Sequence, residues 1–305
     1  MIKLLSISLT WACNFQCRTC NLWKVDNPPF LDIDRLFHGL EGSFFDRLEY
    51  INWFGGEPFL HPGLERAVRM ARDRFPDARE RAVVSNGWRI VPALEKLAKV
   101  DPDLLVCLSL DGFAPIHDRR RGVPGSYDEV LRALLCVREL FTKKPRLSVT
   151  LVPGEVQGLA QVAQIADYYD CEIALRPAVS GSYFRARMDT GWSAAQIDEL
   201  EILLSRLPKR ARGNLEFTAA IPEFLRTGSH RPCQAKRLSG VVEPDCTFRI
   251  CHSHPGGLPI EKVSSRWEAM VRGAEAEDCF KNECFIDGPY SLSYLSREHA
   301  PWLWS

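Results

Sequence analysis

No run in this 305-residue chain approaches the ~18 consecutive apolar residues of a membrane-spanning helix, which excludes a helical membrane protein. Net charge is missing as well, because 39 Lys plus Arg are balanced by 39 Asp plus Glu. Such a chain has no global field to gather nucleic acid or an anionic membrane, and neither is expected as a partner. Low-complexity tracts and sequence repeats are absent, so disordered and solenoid classes fall away. A secretion signal is also lacking. The opening Met1–Leu9 has one lysine and a short apolar stretch, and Trp11 stands where a cleavage site needs small residues. A cytoplasmic protein is expected.

Cysteine, by contrast, is plentiful. Eleven cysteines in a compartment that keeps thiols reduced point to metal binding or catalysis before disulfides. Cys13, Cys17 and Cys20 cluster near the start, and Cys233, Cys246, Cys251, Cys279 and Cys284 near the end. Cys107, Cys136 and Cys171 lie between and read as small buried apolar residues.

Hydrophobic residues make up 46% of the chain, enough for one large domain and a small appendage. Strands are expected at Leu4–Leu9, Tyr50–Phe54, Ala82–Ser85, Leu104–Leu110, Leu147–Val152 and Glu172–Arg176. Helical segments near 31–41, 62–75, 91–99, 126–142 and 155–168 separate them, and strand–helix alternation of this kind predicts a parallel α/β sheet. Capping boxes are read at Ser126–Glu129 and Ser193–Gln196. Six units are too few for a complete eight-stranded barrel, so a partial (β/α)6 TIM-like barrel is expected, with its chemistry at the C-terminal strand ends. Polar signals follow those ends: Cys13 after the first strand, Gly55-Gly56-Glu57-Pro58 after the second, Ser85-Asn86-Gly87 after the third and Ser109-Leu110-Asp111-Gly112 after the fourth.

The spacing Cys13-x3-Cys17-x2-Cys20 is expected by chance about 0.014 times in a chain of this cysteine content. Thiolates are the usual iron-sulfur ligands and a cubane cluster takes four, so three close thiols suggest one iron left for a ligand that is not protein. A zinc site short of one ligand is the alternative. Here the sequence resembles the radical S-adenosylmethionine (SAM) superfamily over roughly residues 3–180, through the Cys-x3-Cys-x2-Cys loop and through Gly55-Gly56-Glu57-Pro58.

The resemblance implies a 4Fe-4S cluster on Cys13, Cys17 and Cys20 that chelates SAM and cleaves it reductively to a 5'-deoxyadenosyl radical. An external electron donor such as flavodoxin or ferredoxin is implied with it. Gly55, Gly56 and Glu57 become candidate SAM contacts, and glycine suits that role because a backbone without Cβ can approach the methionyl amino group. Ser85, Asn86, Ser109 and Asp111 match positions that contact the ribose or carboxylate; Arg121 and Arg176 are further candidates for the carboxylate. One departure is Thr19, which stands where the family usually has an aromatic residue. His61 and His117 read as surface or capping residues.

Val241–Cys251 alternates like a hairpin with Pro244-Asp245 at its turn. It looks like the auxiliary-cluster extension called twitch or SPASM, and that likeness implies a second 4Fe-4S cluster on Cys233, Cys251, Cys279 and Cys284. Structural zinc competes, with His252 and His254 nearby. The expected organisation is a barrel over 1–207, a connection over 208–232, an auxiliary domain over 233–290 and a tail over 291–305 whose Trp302 and Trp304 pack on the barrel. The first strand comes almost at once, without the leader-binding domain common in peptide-modifying members, so a small-molecule substrate, sugar or aminocyclitol-like, is expected. Epimerisation with Cys246 as hydrogen donor is the first expectation, because five C-terminal cysteines exceed the four ligands of one cluster. Alcohol dehydrogenation, peptide modification and a zinc-stabilised partner-binding protein are the alternatives.

Overall fold

The computed structural model describes residues 2–178, 191–207, 215–228, 235–251 and 256–276. Six strands alternate with helices in the expected order: β1 (Leu4–Ser8), α1 (Ile33–Gly39), β2 (Tyr50–Phe54), α2 (Leu64–Arg74), β3 (Glu80–Ser85), α3 (Val91–Val100), β4 (Leu105–Ser109), α4 (Ala114–Arg121), α5 (Ser126–Leu140), β5 (Arg146–Leu151), α6 (Gln157–Tyr169) and β6 (Glu172–Pro177). Each strand pairs in parallel with the next. Alternation divides the two faces of this sheet. Leu5 and Ile7 of β1, Ile51 and Trp53 of β2 and Leu147 and Val149 of β5 pack into one core with Leu36, Val68, Leu94, Val130 and Leu159 of the helices. The opposite, inner face carries Ser6, Ser8, Asn52, Ser109 and Ser148 beside Ala82, Leu105 and Cys107. At the N-terminal end of the sheet, Arg146 closes the inner face by pairing with Glu80 and Glu172.

Beyond β6 come α7 (Ala194–Arg206), α8 (Leu215–Thr227), α9 (Ala235–Leu238), β7 (Ser239–Val242), β8 (Thr247–Arg249), β9 (Leu258–Pro259) and α10 (Val263–Ala276). The hairpin expected to open a second unit instead continues the barrel sheet. β7 runs parallel to β1, with Leu4 opposite Ser239, and β8 and β9 follow antiparallel, giving one nine-stranded sheet. The segment read as a connection contains α8, which buries Phe217, Ile221 and Phe224 and ties Arg226 to Asp198 and Glu201 of α7.

Two local expectations change. The capping box at Ser193 forms as read, whereas α5 is capped from outside: Gly125 takes the N-cap in a left-handed turn, and Asp118 of α4 accepts from Gly125 N–H, Tyr127 N–H and Ser126 Oγ–H. Ser126 therefore serves a neighbouring helix's carboxylate and caps nothing itself. Helix α4 was absent from the sequence reading because its buried side chains are His117 and Arg120, not apolar residues.

Candidate active site

The loop after β1 carries all three N-terminal cysteines, each half-buried, and is held from several sides. On the β2 side, Gly56 N–H donates to Thr10 O over 2.7 Å and Glu57 N–H to Ala12 O over 2.8 Å. On the α4 side, Gln16 N–H and Arg18 N–H donate to the carbonyls of Arg121 and Arg120. Asn86, after β3, reaches Asn14 Oδ1 with its amide, and Phe15 packs edge-on to Trp88. Trp23 closes the far end through Nε1–H to Cys20 O.

The glycines have a structural task beside the SAM contact expected from the sequence. A Cβ on Gly55 would stand 2.3 Å from Thr10 O, and one on Gly56 would stand 2.1 Å from Ala12 O. What demands glycine here is the close approach of the cysteine loop's own backbone. Glu57 likewise turns inward, 1% exposed, with Oε1 accepting from Phe59 N–H and Ser85 Oγ–H and Oε2 from Asn86 N–H. It clamps the loop after β2 to the loop after β3. Burial pushes its carboxyl up to about 7 against those three donors.

Asp111 and Arg121 also come together. Arg121 Nε donates to Asp111 Oδ2 over 2.8 Å, Asp111 Oδ1 accepts from Thr150 N–H, and Asp111 N–H donates to His117 Nδ1. His117 is fully buried, and burial followed by the charge of Arg121 lowers it to about 4, so the ring is neutral with its proton on Nε2. Ser109 and Arg176 lie apart from this group, on the inner face, where Arg176 Nη2 donates to Ser148 Oγ over 2.6 Å and its buried Nε meets no acceptor among the described residues. His61 is buried rather than at the surface; its Nδ1 accepts from Gly63 N–H and its Nε2 lies 2.9 Å from Leu31 O.

The residues fit a cluster. Burial raises the thiol of Cys13 to about 12, opposed first by Phe15 N–H, and burial raises Cys17 and Cys20 as well. Thiols so desolvated become thiolates only against strong positive charge, which iron supplies. Among the described residues no three His, Cys, Asp or Glu side chains converge on a single-ion site. Thiolates that each bind a different iron of a cubane have no need to.

Cys246 goes elsewhere, contrary to the expected role of hydrogen donor. It occupies the hairpin turn at φ +65°, 1% exposed, in the helix-side core with Val242 and Phe248, its Sγ 3.9 Å from Asp32 O. The thiol thus points away from the inner face of the sheet. Cys251 follows Ile250, whose carbonyl accepts from Ser239 Oγ–H at the level of Leu4, so it sits at the opposite end of the sheet from the cysteine loop. Cys233, Cys279, Cys284, His252, His254 and the tail tryptophans lie outside the described residues. Sequence reasoning missed Asn14 and Arg120, and it read the buried His117 as a surface or capping residue. Pro115 in the first turn of α4 and left-handed Gly122 after it were the signals that would have revealed that helix.

This barrel and its cysteine loop define an enzyme class that uses a 4Fe-4S cluster with SAM, and the chain belongs to the radical SAM superfamily, whose model matches residues 7–168. Among proteins of known name it is similar to mycofactocin maturase MftC of Mycobacterium tuberculosis, 28% identical over 265 residues that cover 82% of this chain and 65% of the relative. It is also similar to GTP 3',8-cyclase of Synechococcus elongatus, 28% identical over 181 residues, 57% of this chain and 54% of the relative. The chain therefore spans less than two thirds of either relative's length. The fold is shared with Streptococcus suis SuiB bound to S-adenosylmethionine, at TM-score 0.68 and 12% identity over 90% of this chain and 68% of that one. It is shared too with anSMEcpe with bound AdoMet, at TM-score 0.66 and 15% identity over 100% and 97%. Among the described residues no helix is long and apolar enough to cross a membrane.

Proposed function

We propose that this chain oxidatively modifies a peptide held along the inner face of the sheet, taking hydrogen from it with a 5'-deoxyadenosyl radical. In this reading the substrate radical then gives up a proton to solvent and its remaining electron to a second 4Fe-4S cluster that Cys233, Cys251, Cys279 and Cys284 would hold. The observation that carries it is the separation of Cys251 from the cysteine loop: β1 rises about 13 Å between their two levels. A substrate on the inner face, among Ser6, Ser8, Ser109, Ser148 and Arg176, then lies between a radical source at one end and an electron acceptor at the other. Support for a peptide comes from the likeness to a maturase and from two proteins of the same fold, SuiB with its precursor peptide SuiA and anSMEcpe with a peptide bound. Epimerisation of a sugar or aminocyclitol with Cys246 as donor has less support, because it needs that thiol on the inner face.

The SAM-binding cluster, when present, supplies the electron that cleaves SAM. The chain's own residues hold and desolvate the loop around it, through Glu57, Asn86, Asp111 and Arg121. The test is anaerobic reconstitution of the full chain with an external reductant and with short peptides encoded beside its gene. Two clusters in the wild type are expected, one in Cys251→Ala, and 5'-deoxyadenosine from both. A peptide lighter by two hydrogens should form with the wild type alone. A single cluster in the wild type, or no peptide consumed while a sugar is inverted, would overturn this reading.

A further inference from the structure

The inner face of the sheet holds a cation whose charge the described residues leave unbalanced. Arg146, at the N-terminal end, pairs with Glu80 and Glu172, and Arg249 of β8 lies 3.6 Å from Glu243. Arg176 of β6 makes no ion pair among the described residues. Its Nη2 donates to Ser148 Oγ over 2.6 Å, and its buried Nε has no acceptor among them. The neighbouring carboxylate, Asp111, is taken up by Arg121 and Arg120. A buried N–H without an acceptor keeps its desolvation cost, so an acceptor arriving there is favoured.

Register shows which way the guanidinium leans. Arg176 stands opposite Thr150 of β5, whereas Ser148 stands opposite Ala174. The side chain therefore reaches two residues back along the sheet, about 7 Å, towards its N-terminal end. Thr150 marks the level of the groups beside the cysteine loop, because its N–H holds Asp111. The cation thus lies deeper in the barrel than that level. In front of it the sheet is lined by small side chains, with Ser109 of β4 opposite Ser148 and Ser148 opposite Ala174. That row leaves room beside the guanidinium for part of a ligand.

We propose that Arg176, steadied by Ser148, is the subsite for a carboxylate of the substrate, either an acidic side chain or a chain terminus, rather than for the SAM carboxylate expected from the sequence. This deepens the peptide reading above and rests on it. A guanidinium presents paired N–H groups that match the two oxygens of a carboxylate, and such charge-assisted pairs are stronger than neutral ones. A neutral amide in the same place would satisfy one N–H and leave the charge unbalanced.

The test is titration calorimetry on the full chain, reconstituted anaerobically and saturated with SAM without reductant, so that no product need form. The probes are acetyl-Gly-Glu-Gly amide, acetyl-Gly-Gly-Gly with a free terminus, the neutral acetyl-Gly-Gln-Gly amide, and glutarate. At least one acidic peptide should bind wild type about tenfold more tightly than the neutral one, and the better of the two identifies the source of the carboxylate. Arg176→Gln should abolish that preference at unchanged SAM affinity. Equal or absent binding of every probe by wild type, or a preference that survives in Arg176→Gln, overturns the proposal. Loss of SAM affinity with the preference intact would make Arg176 a SAM contact. If Arg176→Gln does not fold, Arg176→Lys decides, since it keeps the charge without the fork: a weakened or lost preference supports the proposal and an undiminished one overturns it. Should glutarate alone bind in an Arg176-dependent way, the carboxylate subsite stands and the peptide reading falls.

Discussion

Gly56→Ala adds one methyl group where the loops after β1 and β2 touch. The new Cβ would stand 2.1 Å from Ala12 O, 2.6 Å from Ala12 C and 2.7 Å from Trp11 O, all main-chain atoms that no rotamer can move aside. To restore even a 3.0 Å contact the loops must part by roughly 0.9 Å. That displacement strains or breaks Gly56 N–H to Thr10 O and Glu57 N–H to Ala12 O, each contributing about 1 kcal/mol, and overpacking adds about 1–3 kcal/mol. A loss of about 3–5 kcal/mol is expected, concentrated one residue before Cys13. The assay pairs urea denaturation of the metal-free protein with iron and sulfide content after reconstitution. Iron loading should fall together with stability. Wild-type stability and full iron content, with loss of SAM affinity alone, would refute the reasoning and return Gly56 to the role of ligand contact.

Two further outcomes follow from buried titratable and thiol groups. Glu57 is raised from 4.5 to about 7 by burial, so it favours folding when protonated; that contribution, about 3 kcal/mol, is full below pH 4.5 and lost as pH rises through 7. The stability of wild type relative to Glu57→Gln, followed by urea melts from pH 5 to 8, should therefore decline with rising pH, and a flat difference would contradict the assignment. Cys246→Ala removes a buried thiol from the helix-side core and should cost about 1 kcal/mol in a thermal melt, while both iron loading and the reaction product stay unchanged. A changed product would restore Cys246 as a hydrogen donor.

The strands were legible because their apolar faces repeat every two residues and because polar groups cluster where each ends; Tyr50–Phe54 matches residue for residue. Helix α4 was not, since its inward face is His117 and Arg120 and no apolar periodicity marks it. The motif at Gly55–Glu57 was visible, but its inward duty depends on Ser85 and Asn86, 28 and 29 residues away, and on loop backbone that only folding brings near. Counting cysteines made Cys246 look spare. What decides its place is local: a left-handed turn position whose side chain falls on the helix side, an outcome of hairpin register rather than of composition.

The same register gives β7 its place in the proposed function. A hairpin on its own would leave Cys251 at the end of a marginal two-stranded element. Pairing β7 with β1 fixes Cys251 by the same backbone ladder that carries the loop bearing Cys13, Cys17 and Cys20, so one strand sets the distance between the two ends. The buried charges then follow a pattern. Glu57, Asp111, Arg120 and Arg121 are costly to desolvate, yet they gather around a loop whose only regular element is the single 3-10 turn Leu22–Lys24. Apart from the Thr10–Phe30 bridge such a loop has no ladder of its own, so main-chain hydrogen bonds to Gly56, Glu57, Arg120 and Arg121 hold it, while the buried carboxylates and guanidinium groups fix the neighbouring loops that supply those bonds. A site fixed in this way needs little rearrangement when its cofactors bind, which is what a reaction through a highly reactive radical requires of its surroundings.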